Sequence, residues 1–198
     1  MSRLIESIKL FNGELYNLAY HQQRVDKTLQ ELAFSTTINL ASGIQVPQDL
    51  QNGFFKCRVI YDNHGIAHIS FEPYQIRPIH KLKMIVADDL NYEFKWEDRS
   101  ALNNLLNKRG EADDILIVKN GLITDASYAN LAFRKADRWY TPIKPLLKGT
   151  MRKKLVDEHI ITPIDISYTD LHLFETCKLI NALLEFNGPE IAVTDIVF

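Results

Sequence analysis

The sequence predicts an α/β chain of the mixed, α+β kind, arranged as two domains, and three observations carry that prediction. Asn12-Gly13, Asn63-His64-Gly65 and Asn120-Gly121 each lie between runs rich in apolar and β-branched residues, which is the pattern of antiparallel hairpins. One long amphipathic segment, Leu18 to Phe34, follows the first of them. The regular strand–helix alternation of a doubly wound fold is missing, and the glycines fall in neither a dinucleotide nor a P-loop pattern. With 198 residues and 46% hydrophobic composition, such a chain can bury its core without disulfide or metal support.

Taken in order, Leu4 to Phe11 and Glu14 to Tyr16 form the first predicted hairpin, and Asn17 can cap the helix that follows. Leu18, Val25, Leu29 and Leu32 give that helix its apolar side, while His21, Gln22, Arg24 and Lys27 mark the wetter one. Residues 35 to 52 are polar and irregular, broken by Pro47. Phe54 to Tyr61 and Ile66 to Phe71 give the second hairpin. Pro73 to Pro78 reads as an extended connection, and a domain boundary is placed near residue 80: a small N-terminal α/β domain over 1–80 and a larger C-terminal one over 81–198.

In the second part, Lys83 to Val86 reads as a strand and Ser100 to Lys108 as a helix with Leu102, Leu105 and Leu106 on one face. Ile115 to Val118 and Leu122 to Thr124 form the third hairpin. Leu131 to Phe133 and Trp139 to Thr141 read as extended, and Thr150 to Glu158 as helical. Ile161 to Ile166, Cys177 to Ile180 and Ile191 to Val193 are further strand candidates.

A formal charge of −2 with acids and bases interspersed offers no broad attraction for nucleic acid, so a small molecule is the expected partner. No apolar run approaches the length that crosses a bilayer, and the N-terminus lacks a signal-peptide pattern. Cys57 and Cys177 have no Cys or His neighbour at ligand spacing. Neither a disulfide framework nor a metal site is expected, and a reducing cytoplasm fits. The six histidines form no triad or metal constellation, and none is assigned a role.

Three local features carry chemistry. Lys95 lies between Phe94 and Trp96, where an apolar setting disfavours the ammonium and leaves a nucleophilic amine. Read alone, a lysine is most often a solvated surface charge, and its surroundings must argue otherwise. Asp125 follows the third hairpin turn and can hold a heteroaromatic ring nitrogen protonated, or serve as a turn aspartate. Gly149-Thr150-Met151 opens a helix, where amides and the dipole can receive a phosphate, or where threonine simply caps a turn. Arg24 can add a guanidinium fork to that phosphate. Arg99, four residues past the lysine, can stand near the cofactor's phenolate oxygen or pair with Glu97 or Asp98. An amine, a carboxylate and a helix N-terminus together suit pyridoxal 5′-phosphate.

These residues resemble the class IV aminotransferase family, the pyridoxal phosphate enzymes that include branched-chain aminotransferase, D-amino acid aminotransferase and aminodeoxychorismate lyase. Leu4-Ile5-Glu6-Ser7-Ile8 is similar to the family's Phe-Glu-Thr strand, and Tyr20-His21-Gln22-Gln23-Arg24 to its His-x-x-Arg helix, whose arginine holds the phosphate. Lys95 falls on the lysine that forms the cofactor aldimine. Thr124-Asp125 through Asn130-Leu131-Ala132-Phe133 resembles Thr-Glu-x-x-x-x-Asn-Leu-Phe, with Asp125 one methylene shorter than the usual glutamate. Gly149-Thr150-Met151-Arg152 resembles the phosphate turn. Lys95-x-x-Asp98-Arg99, Gly149-x-Met151-Arg152 and Asn181-Ala182-Leu183 look closest to the lyase branch, and Asn181 and Ala182 join the implied cofactor-binding set.

The resemblance implies the two-domain D-amino acid aminotransferase-like fold, with the cofactor lysine on a C-terminal domain built around a barrel-like sheet and the cofactor in the cleft between domains. It also implies a homodimer. Because the chain starts almost at the Glu6 strand, the glycine-containing segment that helps wall the substrate pocket is expected to be missing. The expected activity is lyase-like, releasing pyruvate and p-aminobenzoate through a Lys95 aldimine. Transamination of a branched-chain or D-amino acid is the alternative, and a degenerate member kept as a cofactor-binding or interaction module is a third. Arg58, Arg77 and Tyr92 are candidates for the substrate carboxylate.

Overall fold

A computed structural model describes residues 3–198. The chain divides into two compact units. One runs through Gln75 and takes in Phe94–Asp98; the other comprises Ile76–Glu93 and Arg99–Phe198.

In the first unit, β1 (Leu4–Phe11) turns through Asn12 and Gly13, at φ 49° and 81°, into the short β2 (Glu14–Leu15). Positive φ at both central residues is the primed geometry that matches the twist of a hairpin. Helix α1 (Leu18–Glu31) follows, then a one-turn α2 (Leu40–Gly43) inside the segment expected to be irregular. Asn39 Oδ1 caps α2 by accepting from Ser42 N–H at 3.0 Å. The second hairpin is β3 (Phe54–Asp62) and β4 (Gly65–Pro73), and the antiparallel order is β2-β1-β3-β4. Asn17 starts α1 through its carbonyl rather than its side chain. It sits in the left-handed region at φ 54° and its side chain makes no cap bond.

Strand alternation sends Leu4 and Ile8 of β1 into the core, where they meet Val25 and Leu29 of α1 and Cys57, Val59 and Tyr61 of β3. The segment around Lys95 lies along the start of β1. Ile5 N–H donates to Lys95 C=O at 2.9 Å, Glu97 N–H donates to Arg3 C=O at 2.8 Å, and Phe94 and Trp96 pack on the same core.

The second unit holds β5 (Leu82–Val86), α3 (Ser100–Leu106), β6 (Asp114–Lys119), β7 (Leu122–Ala126), β8 (Asn130–Lys135), β9 (Arg138–Pro142), α4 (Thr150–Asp157), β10 (Ile161–Ile164), β11 (Thr176–Ile180), β12 (Glu190–Ala192) and β13 (Ile196–Val197). The main path of its nine-stranded sheet runs β10-β9-β8-β7-β6-β5-β13. From β8 a branch leads through β11 to β12. Leu116, Val118, Ile123, Leu131, Phe133 and Leu179 fill the larger core, and α4 packs Met151 and Leu155 against Ala132, Ile161 and Ile180. Cys57 and Cys177 are buried free thiols, which burial pushes up, Cys57 to about 12. Among the described residues no helix is long and apolar enough to cross a membrane.

Candidate active site

Two clusters carry the residues singled out by sequence, one in each unit. In the first unit the alternation that buries Leu4 and Ile8 also buries Glu6, which is 0% exposed. A lone carboxylate there would be costly, so it must be paired. His21 and Arg24, one turn apart on α1, supply the partners. Arg24 makes a two-bond fork, Nε to Glu6 Oε1 at 2.9 Å and Nη2 to Oε2 at 2.5 Å, and His21 Nδ1 meets Oε2 at 2.5 Å. Burial alone would raise the Glu6 carboxyl. The Arg24 charge and the bonds from His21 and Arg24 outweigh it and hold the group down at about 2. Burial likewise lowers His21, against the pull of Glu6 and with help from the charges of Arg24 and Lys95. His21 is therefore the neutral partner, donating Nδ1–H to the carboxylate.

In the second unit, Asp125 is the next-to-last residue of β7 and Asn130 begins β8, and the two face each other in register. Asp125 Oδ1 accepts from Asn130 Nδ2 at 2.8 Å and Oδ2 from Leu147 N–H at 2.9 Å, while Asn130 Nδ2 also donates to Leu147 C=O at 2.8 Å. Burial pushes Asp125 up to about 6, against the Leu147 amide, the Asn130 side chain, the Arg152 charge and the Leu146 amide. Beyond Leu147, Gly149 leads into α4, which has no side-chain cap. The Arg152 side chain donates to Thr141 Oγ1 at 3.2 Å and Pro142 C=O at 2.7 Å.

The turn that joins Asp125 to Asn130 is held from three sides. Arg99 donates to Ser127 C=O at 2.6 Å, and Asn181 Nδ2 donates to Tyr128 C=O at 3.3 Å. The buried Asp114 accepts from Ser127 Oγ at 3.0 Å and from Ser127 N–H at 3.2 Å. Asn181 Oδ1 in turn accepts from the Leu183 and Leu184 amides, each at 2.9 Å, shaping the bend that contains Ala182. Arg99 thus reaches a backbone carbonyl, while Glu97 pairs with Arg3 at 2.7 Å and Arg58 at 3.6 Å. Arg77 pairs with Asp114 at 2.7 Å.

The structure thus groups Arg24 with Glu6 and His21, lays Lys95 along β1 in the same unit, and groups Arg99, Asp125 and Asn181 around the 126–129 turn. The sequence reading placed Glu6, His21 and Asn130 inside motifs but gave them no role of their own, and Asp114 escaped it. For Glu6 a signal existed, since an acid at the centre of the alternating Leu4, Glu6, Ile8, Leu10 face must find a partner.

The profile of the class IV amino-transferases matches residues 98–187. A protein of Haemophilus influenzae with no assigned function is 39% identical over 186 residues, 92% of this chain and 98% of its own. A Schizosaccharomyces pombe protein provisionally named aminodeoxychorismate lyase is 24% identical over 172 residues, 79% of this chain and 74% of its own. Among solved structures, a Haemophilus somnus protein provisionally named 4-amino-4-deoxychorismate lyase aligns with TM-score 0.87 at 36% identity, covering 95% of this chain and 98% of that one. The Escherichia coli branched-chain amino acid aminotransferase shares the fold at TM-score 0.70 and 16% identity, over 93% of this chain and 74% of that one.

The fold and these likenesses define an enzyme of the aminotransferase and lyase class. The chain belongs to the class IV aminotransferase family, and within it is aminodeoxychorismate lyase-like.

Proposed function

We propose that this chain is a pyridoxal 5′-phosphate enzyme, with Lys95 as the attachment lysine, that cleaves 4-amino-4-deoxychorismate to p-aminobenzoate and pyruvate. The observation that carries the substrate is the likeness to the Haemophilus somnus protein along nearly the whole of both chains.

The residues suit that cofactor. Asp125 is a buried carboxylate supplied with hydrogen bonds and with the charge of Arg152, and a protonated ring nitrogen would add the cation that its raised position favours. The first internal bond of α4 is Lys153 N–H to Gly149 C=O, so the Thr150 and Met151 amides precede it at the positive end of the helix, where a phosphate is stabilised. Arg24 presents a guanidinium already oriented by a carboxylate.

When bound, pyridoxal phosphate supplies an aldehyde that condenses with amines and a ring that withdraws electrons from the bond being broken. The proposed tasks of the protein are these. Arg24, Gly149, Thr150 and Met151 bind the phosphate, Asp125 holds the proton on the ring nitrogen, and Arg99, Asn181 and Ala182 line the ring through the 126–129 turn and its neighbour. The Lys95 amine takes the proton from the carbon bearing the substrate amine and returns one to the departing enolpyruvyl group, so that pyruvate leaves with its protons balanced.

Purified protein loaded with the cofactor should be yellow, and borohydride should fix the cofactor to Lys95, an adduct read by mass spectrometry and lost in Lys95→Ala. It should form p-aminobenzoate and pyruvate in equal amounts from aminodeoxychorismate. Protein that stays colourless with added cofactor rejects the cofactor. Rapid amination of the bound cofactor by alanine, glutamate or a branched-chain amino acid rejects the lyase in favour of a transaminase.

A further inference from the structure

We propose that Glu6 and His21 are positioning residues that aim Arg24 at the cofactor phosphate, an inference that rests on the phosphate-binding role given to Arg24 above. Glu6 is 0% exposed and its Arg24 partner has a side chain 14% exposed, so the fork joins a fully enclosed carboxylate to an arginine that keeps a small part of its side chain at the surface. A guanidinium carries five N–H donors in a fixed plane. The Glu6 fork takes one from Nε and one from Nη2, which leaves three that the carboxylate does not engage and fixes the plane in which they lie.

Replacing a buried ion pair by apolar residues of similar volume is often neutral or stabilising, so stability alone is a weak reason for a charged pair in the Leu4, Ile8 and Val25 layer. Orientation is a stronger one. An arginine on α1 has several rotatable bonds, and a phosphate site must hold its fork in one place before the ligand arrives. Glu6 does this from a rigid strand in register with β3. His21 does for Glu6 what Glu6 does for Arg24. With its Nδ1–H on Oε2, the carboxylate cannot rotate without breaking two bonds to one oxygen. His21 and Arg24 hold both ends of the arrangement on one helical face.

The test compares the affinity for pyridoxal phosphate with that for pyridoxal, which lacks the phosphate, by absorbance titration of each purified variant. Arg24→Gln should lower the ratio of the two affinities about tenfold or more by removing a charged phosphate contact. Glu6→Gln should lower it by a similar factor, and the double variant should lose little beyond Arg24→Gln, because the two act as one unit. If Glu6→Gln fails to fold, the His21 pair decides. His21→Asn keeps a donor near the Nδ1 position and should hold the ratio, whereas His21→Leu should lower it. A ratio that falls in Arg24→Gln but stays at the wild-type value in Glu6→Gln and His21→Leu would overturn the positioning role and leave the phosphate role standing. An unchanged ratio in Arg24→Gln would remove both.

Discussion

Asn130 fills the space that a side chain at position 149 would need: a Cβ added to Gly149 would stand 1.9 Å from Asn130 Oδ1. The glycine is therefore there for a close approach by Asn130, since its own φ of −66° is open to any residue. Gly149→Ala must push Asn130 aside and break its bonds to Asp125 and Leu147. A buried carboxylate that loses a donor costs about 1–3 kcal/mol, and the displaced amide adds to that. We expect the variant to be destabilised by roughly 2–4 kcal/mol in urea unfolding. Gly149→Ala combined with Asn130→Ala should cost less than the sum of the two single changes, as coupled neighbours do.

Asp125 makes a second test, through pH. Its folded value is raised from 3.8 to about 6, so the folded state keeps a proton that the unfolded chain gives up first. That contribution is fully present below the unfolded value of 3.8 and is lost as pH rises through about 6. The size is roughly 3 kcal/mol on the linkage scale. Asp125→Asn cannot titrate, so the stability of wild type minus that of the variant should fall between pH 4 and pH 7 in cofactor-free protein. A flat difference across that range would mean that Asp125 titrates in the ordinary carboxylate range.

The elements set by local chemistry were legible in the sequence. Asn120 and Gly121 adopt φ 51° and 76°, and the hairpin read at that dipeptide is there. The helix expected to reach Phe34 stops at Glu31 because Ala33 turns left-handed at φ 53°, and nothing in the alternation of apolar residues marks that change. Contacts between distant residues left less trace. The pairing of the Lys95 segment with the start of β1 consists of backbone bonds, which have no residue signature. The meeting of Asn130 with Gly149 depends on how the chain after β9 returns, and the wedge it makes is invisible until the turn is built.

Asp114 separates a buried acid from its exposed partner. Arg77, with a side chain 53% exposed, is paired with Asp114, whose side chain is fully buried. Asp114 also accepts from the Ser127 hydroxyl and amide and from Ile115 N–H at 2.7 Å, so it stays bonded without the arginine. Arg77→Ala should therefore cost no more than about 1 kcal/mol, the scale of an exposed ion pair. Asp114→Ala removes the acceptor for three buried donors at once and should cost about 3 kcal/mol or more. Thermal melts of the two variants distinguish these outcomes, and equal losses would refute the assignment of Asp114 as the anchor of the 126–129 turn.

Glu6 should govern the acid limb of stability. Its folded value is lowered from 4.5 to about 2, so in the window between them the unfolded chain binds the proton and the folded one does not. The stabilisation is present above about 4.5 and is lost as pH falls toward 2, opposite in sign to Asp125. Its magnitude is on the order of 3 kcal/mol. Protonating Glu6 also strands the Arg24 charge beside a neutral acid, which makes this loss cooperative with loosening of α1. Acid unfolding followed by circular dichroism should therefore start below pH 4, with α1 amides among the first to lose hydrogen-exchange protection. In Glu6→Gln, the part of the acid transition due to this carboxyl should vanish, leaving a lower but flatter stability between pH 2 and 4.5. A variant whose stability falls as steeply as wild type through that window would show that other carboxylates set the acid limit.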